Sequence, residues 1–247
     1  MSPTPRPPAQ TAGGVRRPPV SPGLNWPWWV VGAAVVLAGI LAVVLSAGGG
    51  GSSSSSSAGG GTKPGQVEIA STLTVSGTAL PTLTDSTRDP AVGKTAPTMT
   101  GVTFNGSPLT IGNTGQAHMV IFVAHWCPHC QAEVPRIVSL AKAGQVPIPI
   151  VTVATGTDAS APNYPPSAWL AREGWPYPVL VDTKNDTAAT AYGLPGYPFL
   201  VFVNAQGQVV GRLSGEVAPS DLTKLFAALA AGKPLPFTAS GASSAGK

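Results

Sequence analysis

The chain of 247 residues has two cysteines, Cys127 and Cys130, and only two residues separate them. The apolar run at 119–124 before them predicts a strand buried on both faces of a sheet. Apolar residues after them follow helical spacing across 134–141. Cys127 is therefore expected at the start of a helix, where unpaired backbone amides and the helix dipole stabilise an anionic thiolate.

The spacing of these two thiols suits disulfide exchange. A thiolate at a helix start attacks disulfides, and a second thiol three residues later can resolve the mixed disulfide that forms. His129, between the two, adds a possible positive charge beside the first sulfur. We therefore interpret Cys127 and Cys130 as a redox-active pair.

Other uses of a CxxC pair fit the surrounding residues less well. Haem attachment requires His directly after the second cysteine, where this chain has Gln131. Zinc requires about four ligands, and only His118, His125 and His129 could add to the two thiols. A purely structural disulfide would close a loop too short to restrict much of the unfolded chain. Copper(I), bound by the thiolates and a nearby histidine, stays open as an alternative.

Further elements are predicted on both sides of the cysteine pair. Asn105-Gly106 between two apolar pairs predicts a β-hairpin. Short apolar runs predict strands at 148–154, 179–181, 199–203 and 209–213. Apolar spacing also predicts helices at 167–173 and 222–229. The order βαβ, αβ, then ββα indicates an α/β sheet sandwich.

In this order the motifs resemble the thioredoxin fold. The resemblance rests on Trp126 before the CxxC pair, on Pro135 in the following helix, and on Tyr197-Pro198 at the opening of a later strand. A narrower resemblance, to the membrane-tethered TlpA/ResA-like thiol–disulfide oxidoreductases, rests on the segment VGKTAP at 92–97, the Asn-Gly hairpin, and Glu133.

The narrower resemblance covers residues 92–232. It implies an α/β, thioredoxin-like three-layer sandwich with an N-terminal β-hairpin extension, preceded by a single transmembrane helix. It also implies an enzyme without a cofactor or a metal, which exchanges disulfides with exported proteins and is regenerated by a membrane or extracytoplasmic redox partner.

The same resemblance implies a role for each matching residue. Cys127 would be the nucleophile and Cys130 the resolving thiol, and the two would form the redox-active disulfide. Glu133 would relay a proton to the second thiol. The remaining implied residues are Trp126, Pro128 and His129 as tuning residues and Tyr197 and Pro198 as the substrate-binding pair, with Pro198 in the cis form.

Three positions depart from the family pattern. Ile121 stands where thioredoxins have a buried acid, His125 replaces a small or hydroxyl residue, and the Pro128-His129 dipeptide is typical of DsbA-type oxidants. The fold branch and the dipeptide therefore indicate opposite redox directions. We expect a reduction potential between those of thioredoxin and DsbA, and we expect the chain to act as an oxidant. The alternatives are a reductant of the TlpA/ResA kind, including one that acts in cytochrome c maturation, and a protein that binds copper(I).

The N-terminal region predicts a membrane anchor. Residues 28–45 are eighteen apolar residues or Gly, which span about 27 Å as a helix. Arg6, Arg16 and Arg17 lie upstream, and the next charge downstream is Lys63, so the N-terminus is expected in the cytoplasm and the catalytic domain outside it. A signal peptide cleaved before Ala47 is the alternative.

Composition divides the remainder of the chain. Most of the surplus of Lys and Arg over Asp and Glu, 14 to 10, lies in the N-terminal tail, so no nucleic-acid surface is indicated. The expected division is a basic Pro-rich tail at 1–25, an anchor in the lipid at 26–47, a Gly/Ser linker at 48–65, a β-rich extension of unknown role at 66–91, the thioredoxin-like domain at 92–232, and a flexible tail at 233–247.

Overall fold

The computed structural model describes residues 66–236. Its strands are β1 (Thr74–Ser76), β2 (Thr98–Val102), β3 (Pro108–Ile111), β4 (His118–Val123), β5 (Ile150–Ala154), β6 (Val179–Val181), β7 (Phe199–Val203) and β8 (Val209–Ser214). Its α-helices are α1 (Pro128–Lys142), α2 (Pro166–Arg172), α3 (Thr187–Ala191) and α4 (Pro219–Ala230). A single 3-10 turn lies at Ser86–Arg88.

Five strands form the main sheet, in the order β6-β5-β4-β7-β8. β4 is parallel to β5, and β5 is parallel to β6, while β7 pairs with β4 and β8 in antiparallel fashion. All six residues of β4 are buried, as predicted for a central strand. Because β4 is the central strand, its C-terminal end lies between the ends of β5 and β7, and Cys127 follows it there.

Successive residues of β4 face opposite sides of the sheet and join two hydrophobic clusters. Met119, Ile121 and Val123 pack in the cluster that contains apolar residues of α1, α2 and α4. Val120 and Phe122 pack in the second cluster, with residues of α3, β2 and β3. This layering confirms the thioredoxin-like α/β sandwich.

A second sheet of three antiparallel strands, β1-β2-β3, contains the predicted hairpin. The turn between β2 and β3 includes Gly106 at φ 80°, in the left-handed region that favours glycine. Residues 66–91 have less β-structure than predicted, because apart from β1 their long-range backbone hydrogen bonds are single bonds rather than strand ladders. Examples are the Leu80 N–H to the Ala191 carbonyl and the Leu83 N–H to the Gly193 carbonyl.

A buried ion pair ties this N-terminal segment to the main sheet. The fully buried guanidinium of Arg212 donates to Asp89 at 2.8 Å and 2.5 Å. Its Nη1 also donates to the backbone oxygens of Pro81 at 2.9 Å and Tyr192 at 2.8 Å. Residues 66–91 are therefore part of the folded domain.

Two further comparisons with the sequence expectations concern helices. α3 was not predicted, because its five residues, TAATA, carry too little apolar spacing to indicate a helix. The single transmembrane helix predicted at 26–47 lies outside the described residues. Within residues 66–236, no helix is both long and apolar enough to cross a bilayer.

Candidate active site

Cys127 is the N-cap residue of α1, four residues after the end of β4 at Val123, and Pro128 takes the first helical position. Proline suits that position because its missing N–H would have no partner there. The Cys127 side chain is 6% exposed, and its Sγ lies 3.7 Å from the Tyr197 backbone oxygen. The first thiol therefore lies at the positive end of the helix dipole, at the border of the core.

Cys130 lies one turn into α1 and is fully buried. Burial raises the pKa of its thiol well above the ordinary value, and Cys127 and Glu133 add to that effect. Both cysteines are free thiols. Because only a thiolate attacks sulfur, Cys130 needs a nearby base before it can resolve a mixed disulfide.

Glu133 supplies a carboxyl group one turn after Cys130 on the same helix. It is fully buried, which raises its pKa to about 7. Its Oε2 accepts from the Val217 N–H at 3.2 Å and from Arg136 Nη1 at 3.3 Å. Within residues 66–236, its Oε1 has no hydrogen-bond partner. A buried carboxyl that titrates near neutral pH, with one unpartnered oxygen, can accept and return a proton.

Glu216, in the loop between β8 and α4, contacts a histidine and an arginine side chain of α1. Its Oε1 lies 2.7 Å from Nδ1 of His129, and its Oε2 lies 2.6 Å from Nη1 of Arg136. These two contacts lower the pKa of the Glu216 carboxyl. The charge of a protonated His129 is therefore compensated by a carboxylate, which the sequence did not indicate.

Trp126 and Tyr197 lie beside the first thiol. The indole of Trp126 is 36% exposed, and its Nε1 donates to the Gly156 oxygen at 2.7 Å. The two rings meet edge to face at 5.7 Å, and burial raises the pKa of the Tyr197 hydroxyl to about 12. The Tyr197-Pro198 peptide bond is cis, the form that the resemblance implied for Pro198.

His125 is buried and tied to the loop after β5. Its Nδ1 lies 2.8 Å from the Pro162 oxygen, and its Nε2 accepts from the Asp158 N–H at 3.2 Å. The proton of this neutral ring is therefore on Nδ1, and both nitrogens are engaged. Across residues 66–236, no three His, Cys, Asp or Glu side chains converge in a way that could hold a metal ion.

The structure thus brings the sequence-predicted site residues together around one helix start. Cys127, Cys130, Glu133, Trp126, Pro128 and His129 come from the β4–α1 region, and Tyr197 and Pro198 come from the segment before β7. Sequence reasoning missed Arg136 and Glu216. Glu216 is 87 residues from His129 along the chain, and no local pattern indicates that contact.

Glu133 makes a testable contribution to the pH dependence of stability. The folded chain holds its proton up to a pKa of about 7, whereas the unfolded chain releases it near 4.5, so this group destabilises the fold increasingly as pH rises between these values. Glu133→Gln cannot titrate. We expect the free energy of unfolding of the variant minus that of the native chain to increase by roughly 2–4 kcal/mol from about pH 4 to pH 8.

Urea unfolding at several pH values measures this difference. Any constant cost of the buried amide cancels, because only the change with pH is compared. Glu173→Gln makes the same chemical change at a partly exposed position away from the site and serves as the control. A difference for Glu133→Gln that changes with pH no more than that of the control would contradict the raised pKa of Glu133.

Comparisons with known proteins agree with this geometry. The profile of the Redoxin family matches residues 91–229. The thiol:disulfide interchange protein DsbE homolog of Paracoccus denitrificans is 26% identical over 108 residues, which are 44% of this chain and 56% of that protein. The thiol:disulfide interchange protein HelX of Rhodobacter capsulatus is 26% identical over 118 residues, which are 48% of this chain and 63% of that protein.

The match thus spans less than two thirds of each of these two curated relatives. Among solved structures, a hypothetical protein from Sinorhizobium meliloti 1021 is similar, with a TM-score of 0.52 and 20% sequence identity. That match covers 66% of this chain and 92% of that chain. At this level of identity the likeness shows a shared fold.

Proposed function

The chain belongs to the Redoxin family, and from that membership we propose that it is a thiol–disulfide oxidoreductase that acts through Cys127 and Cys130. The observation that carries the proposal is the difference between the two thiols. Cys127 caps α1 at the border of the core, whereas Cys130 is fully buried beside a carboxyl group that titrates near neutral pH. The names of the two curated relatives support the same activity.

In the reducing direction, the first step forms a mixed disulfide. The Cys127 thiolate attacks one sulfur of a substrate disulfide, the substrate S–S bond breaks, and the other substrate sulfur leaves as a thiolate that takes up a proton. The helix N-terminus favours the attacking anion. Tyr197, whose backbone oxygen lies 3.7 Å from this sulfur, would receive the substrate chain together with Trp126 and Pro198.

The second step releases the substrate. The Glu133 carboxylate takes the proton of Cys130, and the resulting thiolate attacks the Cys127 sulfur. The Cys127–Cys130 disulfide forms, and the second substrate thiolate leaves and takes up a proton. Two electrons pass to the substrate in total, and oxidation of a substrate dithiol is the reverse sequence.

The direction of exchange depends on the potential of the pair. The sequence argument for an oxidant treats His129 as an uncompensated cation, whereas its Nδ1 lies 2.7 Å from a Glu216 oxygen. The remaining stabilisation of the thiolate, from the start of α1, favours a potential between those of thioredoxin and DsbA. At such an intermediate reduction potential, the chain oxidises partners of lower reduction potential and reduces partners of higher reduction potential.

The proposed substrates are exported thiol or disulfide proteins, because we expect residues 26–47 to anchor the chain with its catalytic domain outside the cytoplasm. The full-length chain is then expected in the membrane fraction, and a chain beginning near Thr62 in the soluble fraction. Fractionation followed by N-terminal sequencing checks this. Recovery from the soluble exported fraction of a chain beginning at Ala47 would show that the span is a cleaved signal peptide.

Single-turnover exchange tests the proposed activity. The fully reduced chain is mixed with an excess of a peptide whose disulfide has a reduction potential above about −120 mV, so that its reduction is favoured across the whole expected interval, and the new peptide thiols are counted. We expect one peptide disulfide to be reduced per chain, with formation of a Cys127–Cys130 disulfide. A chain in which both cysteines are replaced by serine is the control. No peptide thiols above that control would refute the proposed activity.

A further inference from the structure

We propose that Glu216 is a positioning residue of the proposed exchange reaction: it shares the Arg136 guanidinium with Glu133 and so prevents that cation from pairing fully with the buried acid. The inference deepens the proposed function and rests on it for its meaning in catalysis. Glu216 touches neither sulfur in the structure, so its effect on the reaction would pass through Arg136 and Glu133.

The distances show how the Arg136 guanidinium is shared between the Glu216 and Glu133 carboxylates. Nη1 of Arg136 lies 2.6 Å from the Glu216 Oε2 but 3.3 Å from the Glu133 Oε2. The shorter contact is made to a carboxylate that is 31% exposed, and the longer one to a carboxylate that is fully buried. Arg136 thus lies closer to the carboxylate at the surface, although the buried group has more to gain from a cation.

The neighbouring contacts hold this arrangement in place. The other oxygen of Glu216 is bound to Nδ1 of His129, in the first turn of α1. The next residue, Val217, donates its N–H to Glu133. Two consecutive residues of the loop between β8 and α4 therefore contact His129 at the surface and Glu133 in the core.

The consequence for proton transfer follows from charge. A base for Cys130 must be able to hold a proton as well as release it near neutral pH. Full pairing with Arg136 would favour the anion and weaken Glu133 as a proton carrier. By binding Arg136 at the surface and by its own negative charge, Glu216 favours the protonated form of Glu133.

Several titratable or charged groups face this acid or its partners. On α1 they are Cys127, Cys130 and Arg136, and Cys127 and Cys130 also influence each other. From the β8–α4 loop comes Glu216. Before β7, Tyr197 interacts electrostatically with Cys130. His129, also on α1, contacts the other oxygen of Glu216 rather than Glu133. Arg136 is the one of these groups that contacts both carboxylates, so its position between them governs the charge balance at Glu133.

The test measures the titration of Glu133 itself. The chain contains four glutamates, Glu68, Glu133, Glu173 and Glu216, so carbon-13 labelling of glutamate gives four side-chain carboxyl signals in an NMR titration of the reduced, full-length chain. Glu133→Gln assigns the relevant signal. The midpoint of that signal is then compared in variants that alter the shared cation.

We expect Glu216→Gln, which keeps the shape and removes the charge, to lower the Glu133 midpoint by about one pH unit. Arg136→Gln should raise it by about one unit, since the buried carboxylate then loses its cation. Asp221→Asn removes a carboxylate from an exposed ion pair with Lys224 and should leave the midpoint unchanged. These opposite shifts would not result from a general loss of structure.

A Glu216→Gln midpoint that equals the native one, or that moves in the same direction as that of Arg136→Gln, would overturn the inference. So would a Glu133 signal that shows no midpoint near neutral pH in the native chain. The titration requires no substrate, and for this reason a chain that fails the exchange assay but shows the opposite shifts would refute only the proposed function.

Discussion

Replacing Cys127 with serine is expected to lower the rate of disulfide exchange by on the order of a thousandfold or more, as in other enzymes that lose their nucleophile. A serine hydroxyl stays protonated near neutral pH and does not form a disulfide. The remaining Cys130 cannot substitute for it, because it is fully buried and the pKa of its thiol is raised well above the ordinary value. Single-turnover exchange with a disulfide-bonded peptide measures the loss.

Cys130→Ser is the matched variant and should behave differently. It keeps the nucleophile at the start of α1 but lacks the thiol that resolves the mixed disulfide, so a peptide should remain bound to Cys127 as a stable adduct visible by mass spectrometry. Near neutral pH, Cys127 in this variant should be alkylated at least about ten times faster than Cys130 in Cys127→Ser. Equal alkylation rates would contradict the proposed division of roles.

The second large effect concerns stability. Asp89→Asn is expected to lower the free energy of unfolding by about 3–5 kcal/mol, because it leaves the Arg212 guanidinium buried without a counter-charge. Both side chains of this pair are fully buried, and Arg212 also holds two backbone oxygens. Urea unfolding of chains that begin near Thr62 measures the change.

Asp221→Asn makes the same substitution in an exposed pair. Asp221 lies 2.9 Å from Lys224, and both side chains are more than half exposed. The cost there should be under about 1 kcal/mol. If Asp89→Asn cost no more than this control, the N-terminal segment would not depend on the buried pair for its attachment to the sheet.

Local sequence patterns were sufficient to predict much of the fold. β4, β6 and β7 were predictable because a short apolar run bounded by polar or turn residues has few alternatives to a buried strand. The β2–β3 hairpin was predictable because Asn105-Gly106 suits a tight turn. The place of Cys127 at a helix start was predictable because a buried apolar run precedes it and helical apolar spacing follows it.

Features that depend on contacts between distant residues were not predictable. Asp89 and Arg212 are 123 residues apart, and His129 and Glu216 are 87 residues apart. Each is an ordinary charged residue in its local context, so only the fold shows that the first pair is buried and that the second compensates a charge. The irregular path of 66–91 was missed for the same reason, since its single hydrogen bonds go to residues far away in the chain.

The equilibrium reduction potential of the full-length chain tests the central claim most directly. We predict that Cys127 and Cys130 titrate together as one two-electron pair, with a midpoint between about −270 and −120 mV, the reference values for thioredoxin and DsbA. Because Glu216 compensates His129, His129→Ala should move the midpoint in the reducing direction by less than about 30 mV. A midpoint below about −300 mV, typical of structural disulfides, or the absence of a two-electron transition, would contradict the proposed redox role of the pair.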